Sequence, residues 1–241
     1  MRFKRLLLCI SFSLAAGSNS FAQDMEIDRW DNWFLMGQKI VFGGEGNWKH
    51  SHEIQWRAKE DVTELDQLFY EAVITYSPNA TWEIVPDFRM ARKNDVMDFR
   101  PGFGIVRKDY FEWAPKGQFV QQLKYQYDIN NKGNGRHGVR YVVTYNQVLK
   151  ENLVVSGLIG GFYRWSNSFN GVEFIRFGPS VAYVFNDVHS IGFAPLFGLG
   201  NLGKDENGEK LGWAGSFTPL FQLIIRVKRD YKFTPSKYIN F

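Results

Sequence analysis

Phe119-Val120-Gln121-Gln122-Leu123-Lys124-Tyr125-Gln126-Tyr127-Asp128 decides the fold class of this chain. At a period of two, Phe119, Leu123, Tyr125 and Tyr127 share one face, while Val120, Gln122, Lys124, Gln126 and Asp128 share the other. A helix would scatter these residues around its circumference; a strand sends successive side chains to opposite sides. Arg136 to Asn146 repeats the pattern, with His137, Val139, Tyr141, Val143 and Tyr145 opposing Arg136, Gly138, Arg140, Thr144 and Asn146. Trp48 to Lys59, Leu68 to Tyr76, Trp82 to Ala91 and Phe217 to Lys228 behave likewise.

Short polar breaks separate these runs and read as turns: Gly43-Gly44-Glu45-Gly46-Asn47, Ser77-Pro78-Asn79-Ala80, Leu149-Lys150-Glu151-Asn152 and Asn186-Asp187. Longer breaks fall at Glu60–Asp66, Asn130–Gly135, Ser166–Gly171 and Gly200–Gly212. Eleven strands result, and Tyr231–Phe241 offers a twelfth that Pro235 and Lys237 weaken. If that tail is not a strand, a barrel of ten is the alternative. No helical-period window and no linker interrupts the series.

Alternation alone leaves the solvent of each face open. In a soluble barrel the apolar face points in; in a transmembrane barrel it points out. Runs of about 10–12 residues match the ~9–11 that cross a bilayer at a tilt. A ring of about twelve strands is too wide to fill with apolar side chains, since filling works at about eight. The chain ends on Phe241 in an alternating run, and Trp33, Trp48, Trp82, Trp165 and Trp213 sit near strand ends, as in an interfacial girdle. The expectation is one antiparallel up-and-down transmembrane β-barrel of about twelve strands over 33–241, preceded by an N-terminal segment at 23–32.

Residues 1–22 have the plan of a cleaved signal peptide: basic Arg2, Lys4 and Arg5, the apolar stretch Leu6 to Ala16, then Ser20-Phe21-Ala22. Cleavage would remove Cys9, the single cysteine, and with it disulfides, thiolate nucleophiles and Cys-ligated zinc. It would also reduce the net charge of +4 to 26 basic against 25 acidic residues. A nucleic-acid partner then has no electrostatic support. The expected location is the outer membrane. Expected partners are its lipid, the barrel-assembly machinery acting through Phe241, and a small polar solute; the chain is expected to be a monomer and to need no cofactor.

Face assignment follows from cost. A Lys or Arg facing lipid at mid-depth costs ~2–4 kcal/mol, so turning Lys124, Arg140, Arg176 and Arg226 outward would cost roughly 8–16 kcal/mol if additive. That is comparable to a whole fold's stability. The lumen set is therefore Glu53, Arg57, Glu71, Glu83, Asp87, Arg89, Arg100, Lys124, Arg136, Arg140, Arg176 and Arg226. The acids concentrate on the second to fourth strands and most bases on later ones, so an acidic wall is expected to face a basic one. Two consequences stand side by side: the charges pair and brace the barrel, or they line a narrow water-filled pore.

Other constellations carry less. His50 and His52 share a face with Trp48 and Trp56 and read as interfacial, because a metal site needs a third ligand. Lys204-Asp205-Glu206-Asn207-Gly208-Glu209 stops short of a calcium loop and reads as solvated. An outer-membrane lipid hydrolase would need Ser, His and an acid at one rim. Ser51 stands between two histidines, but neighbours on a strand point to opposite faces. The chain is thus not expected to be an enzyme. A lipid- or envelope-modifying enzyme and a surface-binding module using the Gly200–Gly212 loop are the alternatives to a channel.

Trp30, Trp33, the strand Glu53-Ile54-Gln55-Trp56-Arg57, then Leu65-Asp66-Gln67-Leu68-Phe69 and Phe88-Arg89-Met90-Ala91-Arg92-Lys93 follow one another in a further pattern. Over residues 30–228 the arrangement resembles a family of uncharacterised outer-membrane-type barrels of Gram-negative bacteria, catalogued as a domain of unknown function. The resemblance implies location and fold, supplies no catalytic residues, and leaves the tail from Arg229 as an extension. One conflict remains open. The tightest turns follow odd-numbered strands, so with both termini periplasmic the longer loops would face the periplasm, against custom. An extra strand before Trp33, or a tail that is not a strand, would change that count.

Overall fold

The structure, a computed structural model, describes residues 27–43, 46–59, 63–133, 135–166, 169–185, 189–203 and 211–227. The expected signal peptide at 1–22, the expected tail strand at Tyr231–Phe241 with its terminal Phe, and Lys204–Glu209 lie outside the described residues. Twelve strands are present: β1 (Ile27–Asn32), β2 (Phe34–Gly43), β3 (Trp48–Lys59), β4 (Glu64–Tyr76), β5 (Trp82–Lys93), β6 (Val96–Asp109), β7 (Gly117–Asn130), β8 (Gly135–Lys150), β9 (Leu153–Trp165), β10 (Asn170–Phe185), β11 (His189–Asn201) and β12 (Trp213–Val227).

Strands β2 to β12 form a meander in which each neighbour is antiparallel, and β12 pairs with β2 to close the ring. Eleven strands cannot alternate direction all the way round, so the closing pair is parallel, from Leu220↔Leu35 to Val227↔Phe42. This corrects the wholly antiparallel expectation at one joint; the barrel itself is as expected. The strand before Trp33 exists: β1 lies against β12 alone, from Ile27↔Trp213 to Asn32↔Phe217, outside the closed ring. Its register offset continues that of β2, so it extends β2 past the rim rather than adding a hairpin, and the turn alternation is unchanged. One rim carries the β3–β4, β5–β6, β7–β8, β9–β10 and β11–β12 connections; β12 ends at Val227 on the opposite rim.

The strands of the ring are 10 to 16 residues long. At the β5–β6 turn, Asn94 adopts φ 53°, the left-handed conformation that Asn tolerates and a two-residue hairpin demands. The outward face is apolar: Met36, Ile54, Ile74, Phe103, Leu123, Ile159, Ile191 and Phe221 are all exposed. Soluble domains do not display such a continuous belt of large apolar residues. Trp48 packs on Tyr76 with centroids 4.6 Å apart, and Trp165 packs on His137 at 5.6 Å, both beside strand ends. Trp33 and Trp213 depart from the expected girdle. The break between β1 and β2 sets Trp33 against a lumenal apolar cluster, and Trp213 is buried between its register partners Ile27 and Asn201.

The interior has two arcs. Across β3 to β8 it is largely polar. Across β9 to β12 and onto β2, Leu158, Ala194, Leu196, Leu220 and Leu35 form one buried cluster. Apolar filling was expected to fail at this width. It succeeds on one arc because side chains from non-adjacent strands β9, β11 and β2 reach one another there.

Candidate functional site

The lumen is built in tiers that follow strand register. Nearest the β2–β3, β4–β5 and β6–β7 turns, Glu83 on β5 accepts hydrogen bonds from Lys49 Nζ on β3 at 2.7 Å and Lys108 Nζ on β6 at 3.0 Å. Beside this rung, Val73, Val85, Val106 and Val120 pack as a buried cluster, with Val154, Ala182 and Val184 forming another on β9 and β10. These two clusters line separate arcs of the lumenal wall near that rim; we call the first the floor.

The middle tier is ionic. Lys124 on β7 reaches Asp87 on β5 at 2.7 Å and Glu71 on β4 at 3.6 Å. Arg89 holds Glu71 at 3.0 Å. Glu53 takes Lys39 at 3.6 Å and a hydrogen bond from Gln222 Nε2 at 2.8 Å, tying β3 to β2 and β12. Gly102 makes room for this tier, because a Cβ there would lie 2.7 Å from Asp87 Oδ1 and 2.8 Å from Lys124 Cε.

The expected acidic wall facing a basic wall is not what forms. Glu53, Glu71, Glu83 and Asp87 each sit among their cations, one to three strands away. Strands lie ~4.8 Å apart, so neighbours can pair at hydrogen-bond distance, whereas charges separated across an open lumen would stay unpaired at high cost.

Towards the rim where β1 lies, a cavity of about 470 Å³ opens, and every strand from β1 to β12 contributes to its lining. Seven arginines line it (Arg29, Arg57, Arg89, Arg100, Arg140, Arg164 and Arg176) against three carboxylates, Asp31, Asp66 and Glu173. Each of those acids already holds a cation: Asp31 with Arg29 at 3.3 Å, Asp66 with Lys93 at 2.8 Å, Glu173 with Arg164 at 2.6 Å. A bulge between Val172 and Phe174 in the β9–β10 pairing accompanies the last contact, a placement in which bulges re-aim side chains. Asp128 pairs with both Arg100 and Arg164. Arg57 is held by neutral groups, through Nε to Gln55 Oε1 at 2.8 Å, through Nη1 to Gln67 Oε1 at 3.3 Å, and over the Phe69 ring at 4.6 Å. Arg140 donates to Gln122 Oε1 at 3.4 Å, and Arg176 lies over the Phe174 ring at 5.5 Å. Among the described residues, neither Arg57 nor Arg176 has a carboxylate within ion-pair distance.

An apolar exterior and an ionic interior leave one environment that suits both faces. This is a β-barrel of the outer-membrane type. The lumen set read from the sequence is spread along the barrel: Arg57, Arg89, Arg100, Arg140 and Arg176 line the cavity, Glu53, Glu71, Asp87 and Lys124 form the middle tier, and Glu83 lies in the far rung, while Arg136 and Arg226 stand at opposite ends; Arg226 donates to Ser190 Oγ at 3.1 Å. Lys39, Lys108, Asp128 and Arg164 also belong, though the sequence reading left them out. The first three lie at lumenal parity on their strands, and that signal could have found them. Arg164 is harder, because β9 is apolar on both faces. Outside the barrel, His50 and His52 approach to 3.1 Å, and His52 Nδ1 lies 2.6 Å from the Tyr70 hydroxyl, while Ser51 is buried on the other face. The three therefore do not converge. No cluster of three or more His, Cys, Asp or Glu side chains that could hold a metal is found among the described residues.

No family model matches the chain, and no curated protein matches it. Among solved structures, similarity is found to one described as "NanC porin structure in rhombohedral crystal form", at 9% identity and a TM-score of 0.49, covering 74% of this chain and 87% of that one. A second, "KdgM porin in complex with disordered oligogalacturonate", is 14% identical with a TM-score of 0.42, covering 68% of this chain and 81% of that one.

Proposed function

We propose that the protein is a narrow outer-membrane channel, acting as a monomer embedded in outer-membrane lipid, that passes small anionic solutes. The observation that carries this reading is the arginine surplus of the cavity. Every lining carboxylate is already paired, yet Arg57 and Arg176 retain uncompensated charge beside Arg89, Arg100 and Arg140. Buried charge of one sign is held at a cost unless an opposite charge joins it. Rings of Arg or Lys in pores are the arrangement that admits anions. The ionic tier beneath supplies bracing, so the two readings of the lumenal charges apply to different depths.

Planar-bilayer recording across a salt gradient tests this. The expected result is a small conductance whose reversal potential lies toward the chloride equilibrium value, with Arg57→Glu and Arg140→Glu each moving it toward that of potassium. An electrically silent barrel, or a cation-selective one, would reject the reading.

A further inference from the structure

The cavity is two-sided in a way that charge alone does not require. Arg57, Arg89, Arg100 and Arg140 come from the polar arc of β3 to β8. On the remaining arc, which adjoins theirs where Leu35 pairs with Arg57 and Phe162 with Arg140, Leu35 and Leu158 border the cavity at the edge of the buried leucine cluster, and Phe162 and Phe174 stack with centroids 5.2 Å apart. Arg164 stands over the Phe162 ring at 5.0 Å, and Arg176 over Phe174 at 5.5 Å, so cations border this wall as well. The volume of about 470 Å³ falls in the usual range for small-molecule sites.

We propose that the cavity selects carboxylates borne on an apolar body, such as an aromatic or branched hydrocarbon acid, over equally charged but hydroxyl-rich anions. This deepens the anion-channel reading and rests on it for the route by which solute arrives. The carboxylate meets the arginines, which offer planar paired donors suited to it. The body meets Leu35, Leu158 and the ring edges. A polyhydroxylated body in the same place would turn its hydroxyls toward leucine and lose water without a replacement partner. Among the described residues that line the cavity on that side, Ser216 and Thr218 are the hydroxyl side chains, too few to serve such a body.

Binding is tested at equilibrium, independently of conduction, by titrating the full-length barrel in detergent with benzoate and with gluconate, using protein-free micelles as the blank. Benzoate is expected to bind about tenfold more tightly than gluconate. Leu158→Asn is expected to erase that preference by weakening benzoate and strengthening gluconate, and Arg57→Gln to weaken both. Equal affinities, a preference for gluconate, or no binding of either would overturn the proposal. The wild-type comparison needs no variant, so a misfolded L158N leaves the test decisive. Anion-selective current without benzoate preference would sink this inference alone; a silent bilayer would sink the channel and leave the binding result standing.

Discussion

Lys124 shows how a single lumenal charge is held. Its ammonium is shared between Asp87 and Glu71, and both Lys124 and Asp87 are almost wholly buried, at 4% and 2% side-chain exposure. Removing one member of a buried pair strands the other, which typically costs about 3–5 kcal/mol. Lys124→Met is therefore expected to destabilise the barrel by about 3 kcal/mol, the low end because Glu71 keeps Arg89. Denaturant unfolding in lipid vesicles measures it. In a double-mutant cycle with Asp87→Asn, part of that loss should be recovered, since no orphaned carboxylate remains. Gly102→Val should disturb the same pair from beneath, by pushing a methyl into Asp87 and Lys124. At this scale the sequence was legible where parity was clear: Lys124, Glu71, Asp87 and Arg89 all lie at lumenal positions of strongly alternating runs. The partner of each was not legible. Pairing of Lys124 with Glu71 joins β7 to β4, and nothing in either run encodes how far a side chain reaches across two intervening strands.

Along whole strands, the outward face makes a separate and depth-dependent claim. On β7, Leu123 is 52% exposed on the outer surface while its neighbour Lys124 is buried inside, so a one-residue step crosses from lipid to lumen. Leu123→Arg is expected to cost ~2–4 kcal/mol, because position 123 lies near the middle of β7. Tyr127→Arg, on the same face but near the strand end, should cost ~0–1 kcal/mol, since the interface hydrates the charge. A pair of unfolding curves in the same vesicles distinguishes them; equal costs would mean that the face does not meet a bilayer. Strands such as β7 and β8 announce themselves because charge alternates with aromatics. β9 does not, since Leu158 and Phe162 inside oppose Ile159 and Tyr163 outside, and a residue of either face looks alike in sequence. That is why Arg164, and the whole apolar arc with it, was invisible before the strands were placed in a ring.

For the barrel as a whole, the lumen is asymmetric along its axis as well as around it. One end opens into the arginine-lined cavity. At the other, Val73, Val85, Val106 and Val120 pack side by side along β4 to β7 beside the Lys49–Glu83–Lys108 rung, and Val106 has no exposed surface at all. The number of strands, and the parallel joint between β12 and β2, could not be read from alternation, which is identical for a strand running either way. The cluster was equally hidden, because its four valines meet only once β4 to β7 are set in register beside one another. A constriction lined by small apolar side chains opposes conduction by excluding water, without needing a charge barrier. If the floor sets the current, removing methyl groups there should raise conductance, whereas mutations at the arginine mouth should change selectivity more than magnitude. Val106→Ala with Val120→Ala is the direct case: two neighbouring positions on the paired strands β6 and β7 lose four methyl groups, and the lumen gains a wider, wettable gap. The double variant is expected to cost about 2–5 kcal/mol of stability, from lost burial plus the cavity left behind. Single-channel recording should show a several-fold larger conductance with unchanged ion preference. A folded double variant with wild-type conductance would locate the narrowest point elsewhere, at the Lys124–Asp87–Glu71 tier, where even a Cβ at Gly102 would crowd Asp87 and Lys124.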